Sequence, residues 1–168
     1  MKIVQVSIPI QDNETVSGIV CAPDEVPVSK AKGLIVAHGA ANDMNEPMIA
    51  AVCEDLAEKG IATTLRFNFS YRERGKKSPD SQKKLESTWK SACMFFRQSL
   101  AYRFETLIVA GKSMGGRVAS QLVASNQLEA DGLLLLGYPL HAPGKKEHIR
   151  DEHLYDIRIP ILFIEGTR

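Results

Sequence analysis

The sequence has few residues that could form disulfides and no stretch that could cross a membrane. Its three cysteines, Cys21, Cys53 and Cys93, are odd in number, widely spaced and set among apolar residues. We therefore predict buried thiols in a reducing, cytoplasmic compartment. No apolar run approaches the roughly 20 residues of a spanning helix. The first residues alternate apolar and polar side chains, unlike the continuous apolar core of a signal peptide.

An excess of charge of either sign is also missing. Lys and Arg number 21 against 20 Asp and Glu, a net charge of +1. Such a balance excludes a global field that would recruit nucleic acid or an anionic membrane. The basic cluster between residues 72 and 84 is interpreted as a solvated loop face. The four histidines and the cysteines show no metal-ligand spacing, so we expect neither a metal nor a cofactor.

The composition, with 44% hydrophobic and 24% charged residues, is typical of one globular domain over residues 1–168. Alternation over residues 1–10 and 15–21 predicts an amino-terminal antiparallel hairpin. Short apolar runs then alternate with helical periodicity. The expected strands are 34–37, 61–67, 107–110, 133–136 and 159–164, and the expected helices lie around 48–57, over 85–103 and around 118–123. This order predicts an α/β fold with a doubly wound, mostly parallel sheet.

Three loops follow predicted parallel strands: His38-Gly39-Ala40-Ala41, residues 66–80, and the glycine-rich Gly111–Gly116. Because ligands bind at the carboxyl ends of strands in such sheets, we expect the three loops to converge on one edge. We therefore expect the functional residues of the chain to lie at that edge.

The third loop, GKSMGG, has the order strand, GxSxG, helix that is typical of a nucleophile elbow. Gly111 and Gly115 would remove side chains that crowd the strained turn at Ser113. The start of the following helix would favour a developing oxyanion. The motif thus suggests Ser113 as an acyl-transfer nucleophile. The alternative is a plain glycine-rich turn; a phosphate loop is excluded because its glycine and lysine spacing differs.

Taken together, the motifs resemble a known superfamily. The chain has His-Gly after an apolar strand, then RFNF, GKSMGGR, GYPLHAPGK and an apolar strand ending in EGTR. This order resembles the α/β-hydrolase superfamily from about residue 33 to residue 168. More narrowly, it is similar to the small dienelactone-hydrolase-like branch that contains the testis-expressed and nonspecific-lethal-complex subunit proteins.

The resemblance implies a serine hydrolase that acts on a small acyl substrate. Ser113 matches the nucleophile, and the N–H groups of Ala40 and Met114 match the oxyanion-hole donors. The positions that would shape the site are His38, Gly39, Gly111 and Gly115. Three residues match a family loop beside the site, where they either scaffold by hydrogen bonds or contact substrate: Arg66, Asn68 and Tyr71.

The chain departs from the family pattern at its carboxyl end. The family's acid and histidine follow the strand over residues 161–164, where this sequence has only EGTR. We therefore expect the last strand and helix of the fold to be missing and this form to be inactive. His38 and His141 are considered as substitute bases and Asp43 and Asp156 as acids, whereas His148 and His153 are expected to be solvated.

Two functions stay open at this point. One is a serine hydrolase cleaving a carboxylic ester or thioester, and the other is a non-catalytic binding or scaffold protein of the same fold. If residues 161–164 form the last strand, its unpaired edge is expected to associate with a second copy.

Overall fold

The computed structural model describes residues 1–25, 31–99, 104–142 and 145–166. The strands are β1 (Lys2–Pro9), β2 (Thr15–Ala22), β3 (Lys32–Ala37), β4 (Thr63–Phe67), β5 (Thr106–Lys112), β6 (Gly132–Leu136), β7 (His141–Ala142), β8 (Lys145–Ile149) and β9 (Ile161–Ile164). The helices are α1 (Pro47–Glu58), α2 (Ser70–Glu73), α3 (Gln82–Gln98) and α4 (Met114–Ala124), with 3₁₀ turns at Gln11–Asn13 and Glu152–Asp156.

Seven of the described strands form one sheet in the order β1-β2-β4-β3-β5-β6-β9. The amino-terminal hairpin pairs antiparallel, and β2 joins β4 antiparallel. From β4 to β9 every neighbour is parallel. The strand order reverses around β3, so the loops after β3, β4 and β5 meet at one edge. The predicted α/β class, the parallel sheet and the hairpin are confirmed.

Several predicted boundaries were wrong. Strand β4 begins at Thr63, two residues after the predicted start, and the loop predicted over residues 66–80 contains the one-turn helix α2. Helix α3 begins at Gln82 and ends at Gln98, whereas residues 100–103 of the predicted helix lie outside the described residues. The polar connection before β9 contains the hairpin of β7 and β8. Helix α2 and the hairpin of β7 and β8 are too short to show an apolar period, so the pattern could not reveal them.

The sheet is covered unequally on its two faces. Helices α3 and α4 pack on one face, where the buried indole of Trp89 contacts Phe67 with ring centroids 5.1 Å apart. On the other face, α1 packs over β3 around Leu34 and Val36. Exposure then rises toward the edge strand β9, where Leu162 is 59% exposed. None of the described helices has the length and apolarity needed to span a bilayer.

Candidate active site

Ser113 occupies the single-residue junction between β5 and α4, with φ 50° and ψ −114°. Only glycine reaches positive φ without strain, so this backbone is held there by its surroundings. The Ser113 N–H donates to the carbonyl of Leu136 on β6 at 2.9 Å, and the Ser113 carbonyl accepts the N–H of Arg117 at 3.0 Å. The residue is partly exposed, so its side chain can meet a ligand.

The glycines beside Ser113 allow β5 and α4 to touch. A Cβ at Gly111 would lie 2.3 Å from the Gly116 nitrogen, and one at Gly115 would lie 2.5 Å from the His38 carbonyl oxygen. A Cβ at Gly116 would lie 2.5 Å from the Gly111 oxygen. All three contacts are with backbone, which cannot yield as a flexible side chain can. The glycine spacing of the motif is therefore a packing requirement of this junction.

The loop between β3 and α1, residues 38–46, lies against Ser113. A Cβ built on Gly39 would lie 3.5 Å from the Ser113 Cβ and 3.4 Å from the Lys112 carbonyl oxygen. Throughout the described ranges, neither the N–H of Ala40 nor the N–H of Met114 donates a hydrogen bond. Met114 is the first residue of α4, where such N–H groups have no partner within the helix. One unused donor thus belongs to the residue directly after Ser113, and the other to the residue after Gly39, which lies against Ser113.

His38 is fully buried, and both of its ring nitrogens are occupied. Its Nε2 accepts the N–H of Phe69 at 3.1 Å. The remaining nitrogen, Nδ1, must then carry the proton and donate to the Gly39 carbonyl at 2.8 Å. Burial lowers the pKa of His38, which keeps this tautomer neutral. An imidazole held in this way has no free lone pair with which to act as a general base.

The segment after β4, residues 68–73, holds the 38–46 loop from its other side. The Asn68 Oδ1 accepts the Met44 N–H at 2.8 Å, while its Nδ2 donates to Glu73 at 2.9 Å. The Tyr71 hydroxyl, fully buried, donates to the Gly39 carbonyl at 3.4 Å. Both residues therefore bond to the loop itself.

Arg66, by contrast, turns toward α1. Its guanidinium pairs with Glu54 at 2.8 Å and contacts the Cys21 sulfur at 3.5 Å. Through these contacts, Arg66 helps to hold α1 against the sheet.

Glu46, which was not predicted from the sequence, links the 38–46 loop to the end of β5 beside Ser113. Its carboxylate accepts the Lys112 ammonium at 2.6 Å and caps the Ile49 N–H of α1 at 3.1 Å. The local signal was an acidic residue directly before Pro47 at the first position of a helix. Its partner is 66 residues away, so the ion pair itself could not be read from the pattern.

The prediction that His153 is solvated was wrong. The residue is partly buried against α4, and its Nε2 lies 2.8 Å from the Ser120 Oγ and 3.3 Å from the Tyr138 hydroxyl. Burial is the main cause that lowers the pKa of His153, and the positive charge of the nearby Arg117 lowers it further. The 3₁₀ turn that carries His153 docks on α4, a tertiary contact that local charge could not reveal. The side chain of His148 lies outside the described residues.

His141 begins β7 and is partly buried, and its Nδ1 is buried with no hydrogen-bond partner in the described part of the chain. The Ser113 hydroxyl likewise forms no hydrogen bond to any described side chain. Asp43 instead pairs with Arg72 at 3.5 Å, and Asp156 is the exposed last residue of the 3₁₀ turn that carries His153. The described residues thus contain no formed serine, histidine and acid triad.

Comparisons with known proteins agree with this architecture. The structure of Est1E from Butyrivibrio proteoclasticus superimposes with a TM-score of 0.75 at 18% identity, over 98% of this chain and 78% of that one. An alpha-beta serine hydrolase homologue from Coxiella burnetii gives a TM-score of 0.74 at 16% identity, over 98% and 74%. Dienelactone hydrolase from Anabaena variabilis gives 0.71 at 16% identity, over 98% and 86%.

At these identities the structural matches establish the fold alone. The sequence comparison goes further, because a family described as the alpha/beta hydrolase domain matches residues 30–168, most of the chain. The matched region includes the Ser113 junction, the 38–46 loop and every parallel strand. The chain belongs to the alpha/beta hydrolase family.

Proposed function

We propose that the protein is a serine hydrolase that cleaves a carboxylic ester or thioester through an acyl-Ser113 intermediate. The observation that carries the proposal is the backbone of Ser113, held at φ 50° between β5 and α4. A strained serine at a strand-to-helix turn is the geometry of a nucleophile elbow. Such strain persists only where surrounding packing enforces it, as the three glycine contacts do here.

In the proposed reaction, the Ser113 Oγ attacks the acyl carbonyl carbon while its proton passes to a general base. The carbonyl oxygen becomes an oxyanion, for which the free N–H groups of Met114 and Ala40 are the proposed donors. Collapse of the tetrahedral intermediate expels the alcohol or thiol, which takes the proton back from the base. Water then releases the carboxylic acid by the same steps in reverse order.

The base is the part of the mechanism that the described contacts leave open. His38 is excluded because Phe69 and Gly39 occupy both ring nitrogens. His141 has a buried nitrogen without a partner in the described ranges, so it is the leading candidate within them. Since no described base bonds the serine, we expect this 168-residue form to hydrolyse esters slowly or not at all.

Two substitutions at Gly39 test the role of the 38–46 loop. A Cβ at this position would sit 3.4 to 3.5 Å from Lys112 and Ser113, so Gly39→Ala fits with little adjustment. The two further methyl groups in Gly39→Val would crowd the serine. In a form that hydrolyses a p-nitrophenyl ester, we expect Gly39→Val to lower kcat by about 10²-fold, as loss of an oxyanion donor does, and Gly39→Ala to lower it far less. Unchanged turnover in Gly39→Val would argue against the loop's role.

A second function is favoured by one observation, the lack of a described base at Ser113. On that alternative the chain is a hydrolase-fold binding or scaffold protein. Hydrolysis that is measurable in the wild type, abolished in Ser113→Ala and retained in Ser91→Ala would exclude the alternative. Ser91 lies on α3 and serves as the matched control.

We also propose a cytoplasmic location. The support is that Cys21, Cys53 and Cys93 are all free and buried, as thiols in a reducing compartment usually are.

A further inference from the structure

Asn68 and Tyr71 both hydrogen-bond the 38–46 loop, Asn68 at the Met44 N–H and Tyr71 at one peptide group. This is the unit that joins Gly39 to Ala40 and carries the Gly39 carbonyl and the Ala40 N–H. We propose that Tyr71 and Asn68 are positioning residues that aim the Ala40 N–H by holding this loop from behind. The inference rests on the proposed hydrolase function and identifies residues that act through the loop rather than on the substrate.

The Gly39 oxygen accepts three hydrogen bonds. The donors are the His38 Nδ1–H at 2.8 Å, the Tyr71 hydroxyl at 3.4 Å and the Asn42 N–H at 3.4 Å. A trans peptide is planar, and its C=O and N–H point in opposite directions. Fixing the oxygen therefore fixes the direction of the Ala40 N–H, which is left free on the other side.

Tyr71 also packs against the His38 ring, which donates to the same Gly39 carbonyl. Tyr71 is fully buried, and its ring lies 5.8 Å from that of His38. Since Ala41 adopts φ 61°, a strained value for a non-glycine residue, the conformation of the loop depends on such contacts.

Asn68 anchors the far half of the loop. Because its Oδ1 must accept the Met44 N–H at 2.8 Å, its amide orientation is determined, and Nδ2 faces the Glu73 carboxylate at 2.9 Å. Glu73 is itself held by the Ser17 N–H at 2.9 Å and the Ser17 hydroxyl at 3.2 Å. The loop is thereby tied through Asn68 and Glu73 to β2 of the sheet.

The charge of Glu73 allows a sharp test. Asn68→Asp keeps an acceptor for Met44 but places a carboxylate oxygen against Glu73, where like charges repel. Glu73→Gln is isosteric and keeps acceptors for both Ser17 and Asn68. In the double variant the charge repulsion is gone, and a turned carboxamide at position 73 donates to position 68 and still accepts the Ser17 hydroxyl. It loses the Ser17 N–H bond, because one Glu73 oxygen accepts both that N–H and Asn68. Asn126→Asp makes the same chemical change at an exposed turn far from the loop and is the matched control.

The first measurement needs no activity. Amide ¹⁵N relaxation should give Ala40 and Met44 order parameters near ~0.85 in the wild type, typical of rigid backbone, and below ~0.6 in Asn68→Asp. Glu73→Gln and Asn126→Asp should match the wild type, and the double variant should recover part of the order. Unchanged order in Asn68→Asp, or no recovery in the double variant, would overturn the proposal.

The second measurement is kinetic. In a form that turns over a p-nitrophenyl ester, Asn68→Asp should lower kcat by about 10-fold or more and leave KM unchanged. Loss of an oxyanion donor lowers the rate by ~10²–10³-fold, and a donor that points in the wrong direction should cause part of that loss. The double variant should regain part of this loss. Tyr71→Phe, which removes only the hydroxyl, should lower kcat in the same way. A change in KM alone would contradict a positioning role.

The two measurements separate the inference from the proposed function. If a form that hydrolyses the ester does so equally well as Ser113→Ala, while relaxation changes as described, the hydrolase proposal fails and the loop anchoring stands. If turnover depends on Ser113 but Asn68→Asp changes neither order nor kcat, only the positioning role fails.

Discussion

Replacing Gly111 with alanine tests the packing that holds Ser113 in place. The new Cβ would meet the Gly116 nitrogen at 2.3 Å, the Gly115 carbonyl carbon at 2.4 Å and the Gly116 Cα at 2.7 Å. Relief to ordinary contact requires α4 to move by about 1 Å away from β5, since packed interiors do not absorb such overlaps. Overpacking of this kind usually costs about 1–3 kcal/mol. Three backbone contacts place Gly111→Ala at the upper end, so we expect a loss of about 3 kcal/mol.

Urea unfolding with linear extrapolation measures this loss. Gly132→Ala is the matched control in the same sheet, because its Cβ would find only Ile108 at 3.6 Å and the Pro160 oxygen at 3.8 Å. We expect Gly132→Ala to leave the free energy of unfolding within about 1 kcal/mol of the wild type. A Gly111→Ala protein as stable as Gly132→Ala would refute the claim that backbone contact between β5 and α4 enforces the serine turn.

Two further predictions concern acid stability and association. Burial lowers the pKa of His38 in the folded protein. Below pH ~6.5 the unfolded chain therefore binds a proton at this histidine that the folded chain does not. The free energy of unfolding then falls by about 1.4 kcal/mol for each pH unit, until the pH reaches the pKa of His38 in the folded protein. Above pH ~6.5 the contribution of His38 to the free energy of unfolding is constant. In urea titrations, His38→Asn should reduce the loss of stability that acid causes. At the sheet edge, Leu162, Phe163 and Ile164 are 59%, 43% and 51% exposed, so we expect self-association through β9 that Phe163→Lys weakens. A monomeric wild type in sedimentation velocity would contradict this expectation.

Much of the fold could be predicted from the sequence because local pattern and tertiary environment agree. The alternation over residues 1–10 matches β1, which has only one covered face, and the continuous apolar run at residues 34–37 matches β3, which is buried between neighbours and α1. Helix α2 was missed because one turn of helix carries no period. Its formation depends on the buried Tyr71 beneath the 38–46 loop.

The site was predictable only as far as its motifs are local. The glycine spacing around Ser113 reports close backbone contacts. Gly111 meets the start of α4, the next element in sequence, whereas Gly115 meets the Ala37 and His38 carbonyls at the end of β3. The bond from Phe69 to His38 joins residues 31 positions apart. No spacing rule links such pairs, so the sequence could not show that both nitrogens of the His38 ring are occupied, which excludes it as a base. The docking of His153 on Ser120 is hidden for the same reason.

The most direct test of the central claim is to react the folded protein with a fluorophosphonate and locate the adduct by mass spectrometry of its peptides. Since such reagents require an activated nucleophile, we expect one adduct per chain on Ser113 in any form that contains its base. Ser113→Ala and protein denatured before the reaction should carry none. A folded protein that hydrolyses esters yet is labelled elsewhere, or labelled equally in Ser113→Ala, would contradict the assignment of Ser113 as the nucleophile.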